Sequence, residues 1–416
     1  MERVVPRVGD RQADVIVGIQ WGDEGKGRII DYYAADYDVV ARFGGGDNAG
    51  HTIIVGARKL ALRIVPSAVL QTRPLLFIGG GTVVGLRGLI DELHMLAGVG
   101  VDVARVKISD RAHVVLPYHV SADAAAETAR GDQALGTTRR GIGPAYTDKA
   151  ARAGLEFGDL RSPDVVAERI RADGRGGDAL IAETLALAKE ILPHVVDGVA
   201  FLHGALEGGK RVLVEGAQGT MLDVGYGTYP FVTSSHTIAG GACTGLGIGP
   251  RAIGNVVGVA KAYCTRVGAG PFPSELGGKL ADRLRVAGGE FGTVTGRARR
   301  CGWFDAVAGR YATRVNGLTS AIITKLDVLS GFDRIGIVTD YELDGASVGV
   351  DAMTAPGLTA QVEWYDGWDD DITGAHRMGD LPARARNYVA ALEAALTVPI
   401  EAVSVGPERA ALLTSP

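Results

Sequence analysis

The chain has 416 residues, 46% of them hydrophobic, with a formal net charge of -5. That charge offers no basic field to a nucleic acid, and no apolar run approaches the roughly 18 residues needed to cross a bilayer. The cysteines, Cys243, Cys264 and Cys301, are odd in number and widely spaced, which argues against a disulfide scaffold or a zinc cluster and fits a reducing cytoplasm.

Residues 1–13 open on a charged stretch without an apolar segment and read as a flexible tail, not a signal peptide. Continuous apolar runs at Asp14–Gly18, Val39–Phe43, Leu75–Ile78, Val106–Ile108, Arg211–Val214, Asn255–Lys261, Ser320–Thr324 and Ile335–Thr339 predict strands covered on both faces. Helical spacing is expected near Arg28–Ala35, Gly88–Ala97, His119–Ala129, Pro163–Asp173, Asp178–Leu192, Trp303–Asn316 and Pro382–Leu396. The alternation predicts an α/β fold with a large, mostly parallel central sheet flanked by helices, a P-loop-like N-terminal phosphate loop and inserted subdomains. Length alone would suggest two or three domains, but the motifs below spread over the whole chain, so residues 14–416 read as one domain. No element is predicted for 348–376.

The first strand runs into Gln20-Trp21-Gly22-Asp23-Glu24-Gly25-Lys26-Gly27. Glycines at 22, 25 and 27 admit backbone angles closed to other residues, so successive N–H groups can face an anion at the positive end of the next helix. Lys26 adds a full charge. Gly27 stands where a P-loop carries its magnesium-binding Ser or Thr, which leaves Asp23 as the candidate for holding a cation or moving a proton. The plainer alternative is an ordinary glycine turn.

A second glycine-rich turn, Arg42 to Thr52, ends beside His51, a side chain suited to proton transfer near neutral pH. Gly136 to Pro144 gathers hydroxyls, amides and the guanidinium groups of Arg139 and Arg140, which match phosphate or carboxylate oxygens. Glu215 to Thr220 supplies Gln218, a candidate reader of a base edge, and Tyr229 to His236 supplies hydroxyls. Gly292 to Arg300 combines hydroxyls with arginines, either a clamp for a small dicarboxylate or a solvated basic turn. Thr324-Lys325-Leu326-Asp327 closes an apolar strand in the Lys-x-Asp order that selects guanine, the carboxylate accepting from N1–H and the exocyclic amine. Its alternative is a strand-end ion pair between Lys325 and Asp327. Three anion loops and a guanine reader predict a nucleotide plus a second and a third substrate.

With these motifs in order, the chain resembles the adenylosuccinate synthetases, GTP-dependent enzymes that join aspartate to IMP. The resemblance runs from about Val15 to Arg409. It rests on Gln20–Gly27, Asn48-Ala49-Gly50-His51-Thr52, Gly141–Tyr146, Gly227–Pro230, Thr265–Pro273 and Thr324–Asp327. It implies two steps: GTP phosphorylates the 6-oxygen of IMP, then the amine of L-aspartate displaces phosphate. It implies Asp23 as the base for the N1 proton and, with the Gly50 carbonyl, as a ligand of Mg2+. It further implies His51 as the acid that stabilises departing GDP, with Lys26 and Gln218 as further catalytic residues.

GTP contacts are implied for Gly22, Glu24, Gly25, Lys26, Gly27, Gly50, His51, Thr52 and Arg299, and for Lys325, Leu326, Asp327, Ser404, Val405 and Gly406 around the base. IMP contacts are implied for Asp23, Asn48, Ala49, Thr138, Arg152, Gln218, Thr233, Val267 and Arg297. Aspartate contacts are implied for Thr293, Val294, Thr295, Gly296, Arg297 and Arg299. Arg152 is implied to reach the IMP site of a neighbouring subunit, which makes a cytoplasmic homodimer the expected form.

The sequence departs from the family pattern at Asp47, Arg139, Gly225, Tyr226, His236, Val294 and Ala298. None of these carries proton transfer or phosphate activation. A guanidinium at Arg139 and a carboxylate at Asp47 are not neutral changes in a closed pocket. The expected substrate is IMP; the alternative is a paralogue aminating an IMP analogue in nucleoside-antibiotic or other specialised metabolism. A more remote reading is a non-catalytic GTP-binding homologue.

Overall fold

The computed structural model describes residues 12–414 apart from 49, 56–57, 173, 293–295 and 297, and the side chains of 51–59 and 132 lie outside the description. The expected tail falls outside it up to residue 11. The first strand, β1 (Ala13–Gly18), starts one residue ahead of its expected position, with Ala13 fully buried.

β1 lies in a ten-stranded sheet with β2 (Val39–Arg42), β3 (Leu75–Ile78), β4 (Val106–Ser109), β5 (Val195–Val196), β6 (Val212–Glu215), β7 (Ile253–Lys261), β8 (Ser320–Thr324), β9 (Ile400–Ser404) and β10 (Leu412–Thr414). The spatial order is β5-β4-β3-β2-β6-β1-β7-β8-β9-β10, and every pair is parallel except β9 with β10.

Side chains alternate across this sheet. Val15 and Val17 of β1 enter one apolar cluster and Ile16 the other; Ala321 and Ile323 of β8 are divided from Ile322 in the same way. Both faces are therefore packed, which is why these strands read as continuous apolar runs. Each buried Val or Ile side chain contributes about 1.5–3 kcal/mol by leaving water. Helices supply the crossovers, among them α1 (Lys26–Tyr33) after β1, which packs Ile29, Ile30 and Tyr33 against the sheet. No helix of the described residues is long and apolar enough to cross a membrane.

Some elements differ from expectation. Ile335–Thr339 is expected in the parallel sheet but forms the middle of a longer strand, Arg334–Leu343, in a separate sheet, antiparallel to Ala346–Val348 and Thr359–Asp366. Apolar continuity marks a covered strand without saying which sheet covers it. Thr359–Asp366 falls where no element is predicted, because its residues are only half-buried or exposed and carry little apolar signal. The helix expected from Trp303 begins at Ala306, where the Asp305 carboxylate caps it by accepting from the Ala308 N–H at 3.0 Å. The helix α2 (Ile142–Ala151) is unpredicted, its start hidden in a Gly-Ile-Gly-Pro run that reads as loop.

Candidate active site

The motif loops follow the C-terminal ends of β1, β2, β6, β8 and β9, the edge at which open parallel sheets bind ligands. Seven non-glycine residues among the described residues have positive φ: Asp23 (58°), Arg139 (55°), Arg152 (64°), Gln218 (55°), Lys325 (60°), Asp344 and Thr397. The first five are residues that the sequence singles out. A side chain held in the left-handed region costs free energy, and such residues gather where a site demands them.

The 19–25 loop is wedged between the segments at the ends of β6 and β8. A Cβ on Gly22 would lie 3.8 Å from Gln218 Cα, and one on Gly25 would lie 3.6 Å from the Thr324 methyl. The Thr324 hydroxyl donates to the Glu24 carbonyl at 2.7 Å. Glu24 itself is fully buried and accepts from Gln20 N at 3.1 Å, Gly22 N at 2.9 Å and Lys26 Nζ at 2.5 Å. The Gly22 N–H, expected to face a ligand anion, is thus spent on the chain's own carboxylate, which also holds the Lys26 ammonium. Glycine at 18 and 219 leaves the room that this carboxylate occupies.

Asp23 is 38% exposed, and its Oδ2 accepts from Arg299 Nε at 2.6 Å. Arg299 also donates through Nη1 to the fully buried Glu290 at 2.8 Å. Burial opposes the ionisation of Glu290, but Lys261, Lys325 and Arg299 overcome it and hold the carboxyl well below its usual range.

Lys325 and Asp327 do not pair with each other among the described residues. Lys325 Nζ donates to Glu290 at 2.7 Å and to the Gly288 carbonyl at 2.8 Å. Burial raises the Asp327 pKa, with Lys325 and Arg28 opposing it. The Arg28 guanidinium bonds the Ser404 hydroxyl and the Gly406 carbonyl. Parallel pairing of Ile323 with Val403 then brings the Lys325–Asp327 and Ser404–Gly406 turns to one corner. Neither Arg28 nor Glu290 stands out in the sequence, because the partners of Arg28 and all those of Glu290 but Arg299 lie far away along the chain.

On the other side of β1, Asn48 accepts from Gly46 N at 3.2 Å and donates to the Thr233 hydroxyl at 3.4 Å. The buried Gln218 amide has no hydrogen-bond partner among the described residues, and neither do Nε and Nη2 of the fully buried Arg42. Buried polar atoms left open in this way are costly unless something else satisfies them. Thr138, Arg152 and Val267 are exposed. Arg152 ends α2, opposite the end that the Gly136–Gly141 loop enters, and is not brought to the other residues. Ala49, Thr293, Val294, Thr295, Arg297 and the side chains of His51 and Thr52 lie outside the described residues. Gly296 is described, with a positive φ of 64°.

Four of the seven departures from the family pattern lie at two places, Gly225, Tyr226 and His236 at one and Asp47 at the other. Asp223, fully buried, accepts from Gly225 N, Tyr226 N and His236 Nδ1 through one oxygen and from Thr237 N and Ile238 N through the other. Three of the altered residues therefore share one carboxylate. Asp47 places its Oδ2 2.9 and 3.0 Å from where Cβ atoms of Gly85 and Gly88 would stand, so its carboxyl packs against the start of the helix Leu86–Gly98. A cleft of about 520 Å³ beside Tyr226, Tyr229, Arg310 and Tyr311 includes none of the predicted site residues.

Burial pushes the Asp47 carboxyl up to about 7, reinforced by Glu92 and opposed by the Gly85 N–H, Arg140 and Arg42. Its folded pKa exceeds the ordinary 3.8, so its contribution to stability is complete below that pH and is lost as pH rises through about 7. Asp47→Asn is expected to raise the melting temperature at pH 8 and to change it little at pH 4. Thermal melts at the two pH values check this, and a fall at pH 8 would contradict it.

A mostly parallel α/β sheet that carries a glycine-rich anion loop, an unpartnered amide and a Lys-x-Asp turn along one edge defines a nucleotide-using enzyme. Residues 15–413 match the family described as adenylosuccinate synthetase. The chain is 48% identical to the adenylosuccinate synthetase of Moorella thermoacetica, over 95% of this chain and 97% of that one. It is 46% identical to that of Pelotomaculum thermopropionicum, again over 95% and 97%. The fold is similar to that of a fully ligated adenylosuccinate synthetase from Plasmodium falciparum, with a TM-score of 0.92 and 35% identity over 97% of this chain and 100% of that one. A cyanophage S-2L succinoaminodeoxyadenylate synthetase bound to dGMP and dATP gives a TM-score of 0.65 at 21% identity, over 98% and 96%, a likeness of fold alone. The chain belongs to the adenylosuccinate synthetase family. It is a carbon–nitrogen ligase of purine biosynthesis that uses GTP to join IMP and aspartate.

Proposed function

We propose that the strand-end loops divide this reaction as follows. Asp23 takes the N1 proton of IMP, which makes the 6-oxygen nucleophilic. That oxygen attacks the γ-phosphorus of GTP, an O–P bond forms, the bond to the β–γ bridging oxygen breaks and GDP leaves. His51 donates to the charge growing on the departing GDP, and Lys26 and the remaining loop amides hold the phosphates. The aspartate amine then attacks C6, the C6–O bond breaks, phosphate leaves with the former 6-oxygen and the amine proton goes to solvent. Gln218 and Asn48 orient the purine nucleotide with Thr138 and Thr233. Thr293 to Arg299 hold aspartate, and Lys325, Asp327, Ser404 and Gly406 hold guanine.

The observation that carries this reading is the convergence of Asp23, the unpartnered Gln218 amide and the Lys325–Asp327 turn at the ends of β1, β6 and β8. A substrate panel tests it. GDP and phosphate should appear only when IMP and L-aspartate are both present; turnover of GTP without either, or inert IMP beside a consumed analogue, would overturn it.

The residues present fit Mg2+. Magnesium takes one or two carboxylates together with substrate phosphates, and the exposed Asp23 carboxylate in the phosphate loop is a hard-oxygen donor of that kind, to which the family resemblance adds the Gly50 carbonyl. When bound, the ion would neutralise charge on the phosphate oxygens. Among the described residues no group of three or more His, Cys, Asp or Glu is placed to hold a metal.

The same reading makes the enzyme a homodimer in which Arg152 serves the partner's IMP. Arg152→Ala should raise the KM for IMP by about tenfold or more, the loss of a charged hydrogen bond. Mixing Arg152→Ala with Asp23→Ala chains should restore activity, because a mixed dimer rebuilds one complete site. Mixtures no more active than their components would refute the cross-subunit role.

A further inference from the structure

Glu290 belongs to none of the motifs above. It follows the helix Gly278–Gly288, is fully buried, and its two oxygens serve different sides of the site. Oε1 accepts from Tyr263 Oη at 2.6 Å, Lys325 Nζ at 2.7 Å and Lys261 Nζ at 3.1 Å. Oε2 accepts from Arg299 Nη1 at 2.8 Å. Arg299 in turn reaches Asp23 through Nε at 2.6 Å. A chain of charge-assisted contacts, none longer than 2.8 Å, therefore runs from the Lys-x-Asp turn through Glu290 and Arg299 to the phosphate loop. The backbone supports it: Arg299 N donates to the Glu290 carbonyl at 3.0 Å.

Lysine and arginine have long side chains that lose considerable rotamer freedom when fixed. Three of them, Lys261, Lys325 and Arg299, meet on this one carboxylate. Because the backbone bond already holds Arg299 near residue 290, the task left to the carboxylate is to set where the guanidinium and the Lys325 ammonium stand.

We propose that Glu290 is a positioning residue of the ligase reaction, fixing Lys325 on the guanine side and Arg299 on the phosphoryl side in one relation, so that the base pocket sets the arginine presented to Asp23. This rests on the roles of Asp23, Arg299 and Lys325 proposed above.

Glu290→Gln tests it with shape conserved. The amide oxygen can keep the Tyr263 and lysine donors only by turning its NH2 toward Arg299 Nη1, donor against donor. The loss should therefore fall on the Arg299 side. The kcat should drop about tenfold or more and the KM for aspartate should rise, while the KM for IMP and the GTP-to-ATP preference stay within about twofold. In an Arg299→Lys background, Glu290→Gln should cost little more, since effects that run through one residue do not add. Unchanged kcat and KM values per folded molecule, with only a lower melting temperature, would make Glu290 a structural residue and overturn the proposal; so would additive losses in the double variant. If Glu290→Gln does not fold, Glu290→Gln with Lys261→Met removes a buried cation together with its counter-ion, and the same kinetic signature is expected of it, wild-type kinetics again being the contrary result. A wild-type protein that makes no GDP with all three substrates present would overturn the functional reading itself, whatever Glu290 does.

Discussion

Replacing Asp23 by Asn lowers kcat by about a hundredfold or more, because the residue proposed to take the N1 proton is removed. The fold should survive. Asp23 is 38% exposed in a loop, outside both core clusters, and among the described residues its side chain bonds Arg299, which keeps its bond to Glu290. Asn is the better substitution for this test, since it tolerates the left-handed φ of 58° that an alanine would strain. Asp23→Ala should be at least as slow and somewhat less stable. Steady-state kinetics beside a thermal melt separate the two effects, and a variant that keeps a tenth of the wild-type rate would refute the base assignment.

Asp327→Asn should reduce the preference for GTP over ATP. A carboxylate accepts both guanine donors, whereas adenine meets it with the N1 lone pair; an amide accepts one and donates one. Losing a charge-assisted bond costs about 1.5–3 kcal/mol, or about ten to more than a hundredfold in the ratio of kcat/KM for the two nucleotides. The structure removes the competing account of this residue as the partner of Lys325, whose ammonium is bonded to Glu290 and Gly288. An unchanged ratio in Asp327→Asn would leave the guanine-reader assignment without support.

The parts of the site legible in the sequence are those whose signal is local. Glycine spacing around Asp23 reports the backbone angles of a turn, and an apolar run that ends in Thr324-Lys325-Leu326-Asp327 reports a buried strand and its end. The central sheet was legible for the same reason, since strands packed on both faces lose their alternation. Glu290 was not. In sequence it is one acid in a Gly-Gly-Glu-Phe-Gly turn, and its donors other than Arg299 stand 29 residues away at Lys261, 27 at Tyr263 and 35 at Lys325. Arg28 is likewise separated by 376 residues from Ser404. The departures at Gly225, Tyr226 and His236 read singly as changes to a nucleotide pocket, and only the fold shows them meeting on Asp223. Ile335–Thr339 reads as a strand of the parallel sheet but lies in another, because hydrophobicity reports cover and not topology.

The central claim is that the 6-oxygen of IMP is phosphorylated and leaves as phosphate. It is tested most directly by supplying IMP labelled with heavy oxygen at that position, together with GTP and L-aspartate, and weighing the phosphate released. The account predicts one heavy oxygen in the phosphate formed with each GDP; unlabelled phosphate, with the label retained in the nucleotide or lost to water, would contradict it.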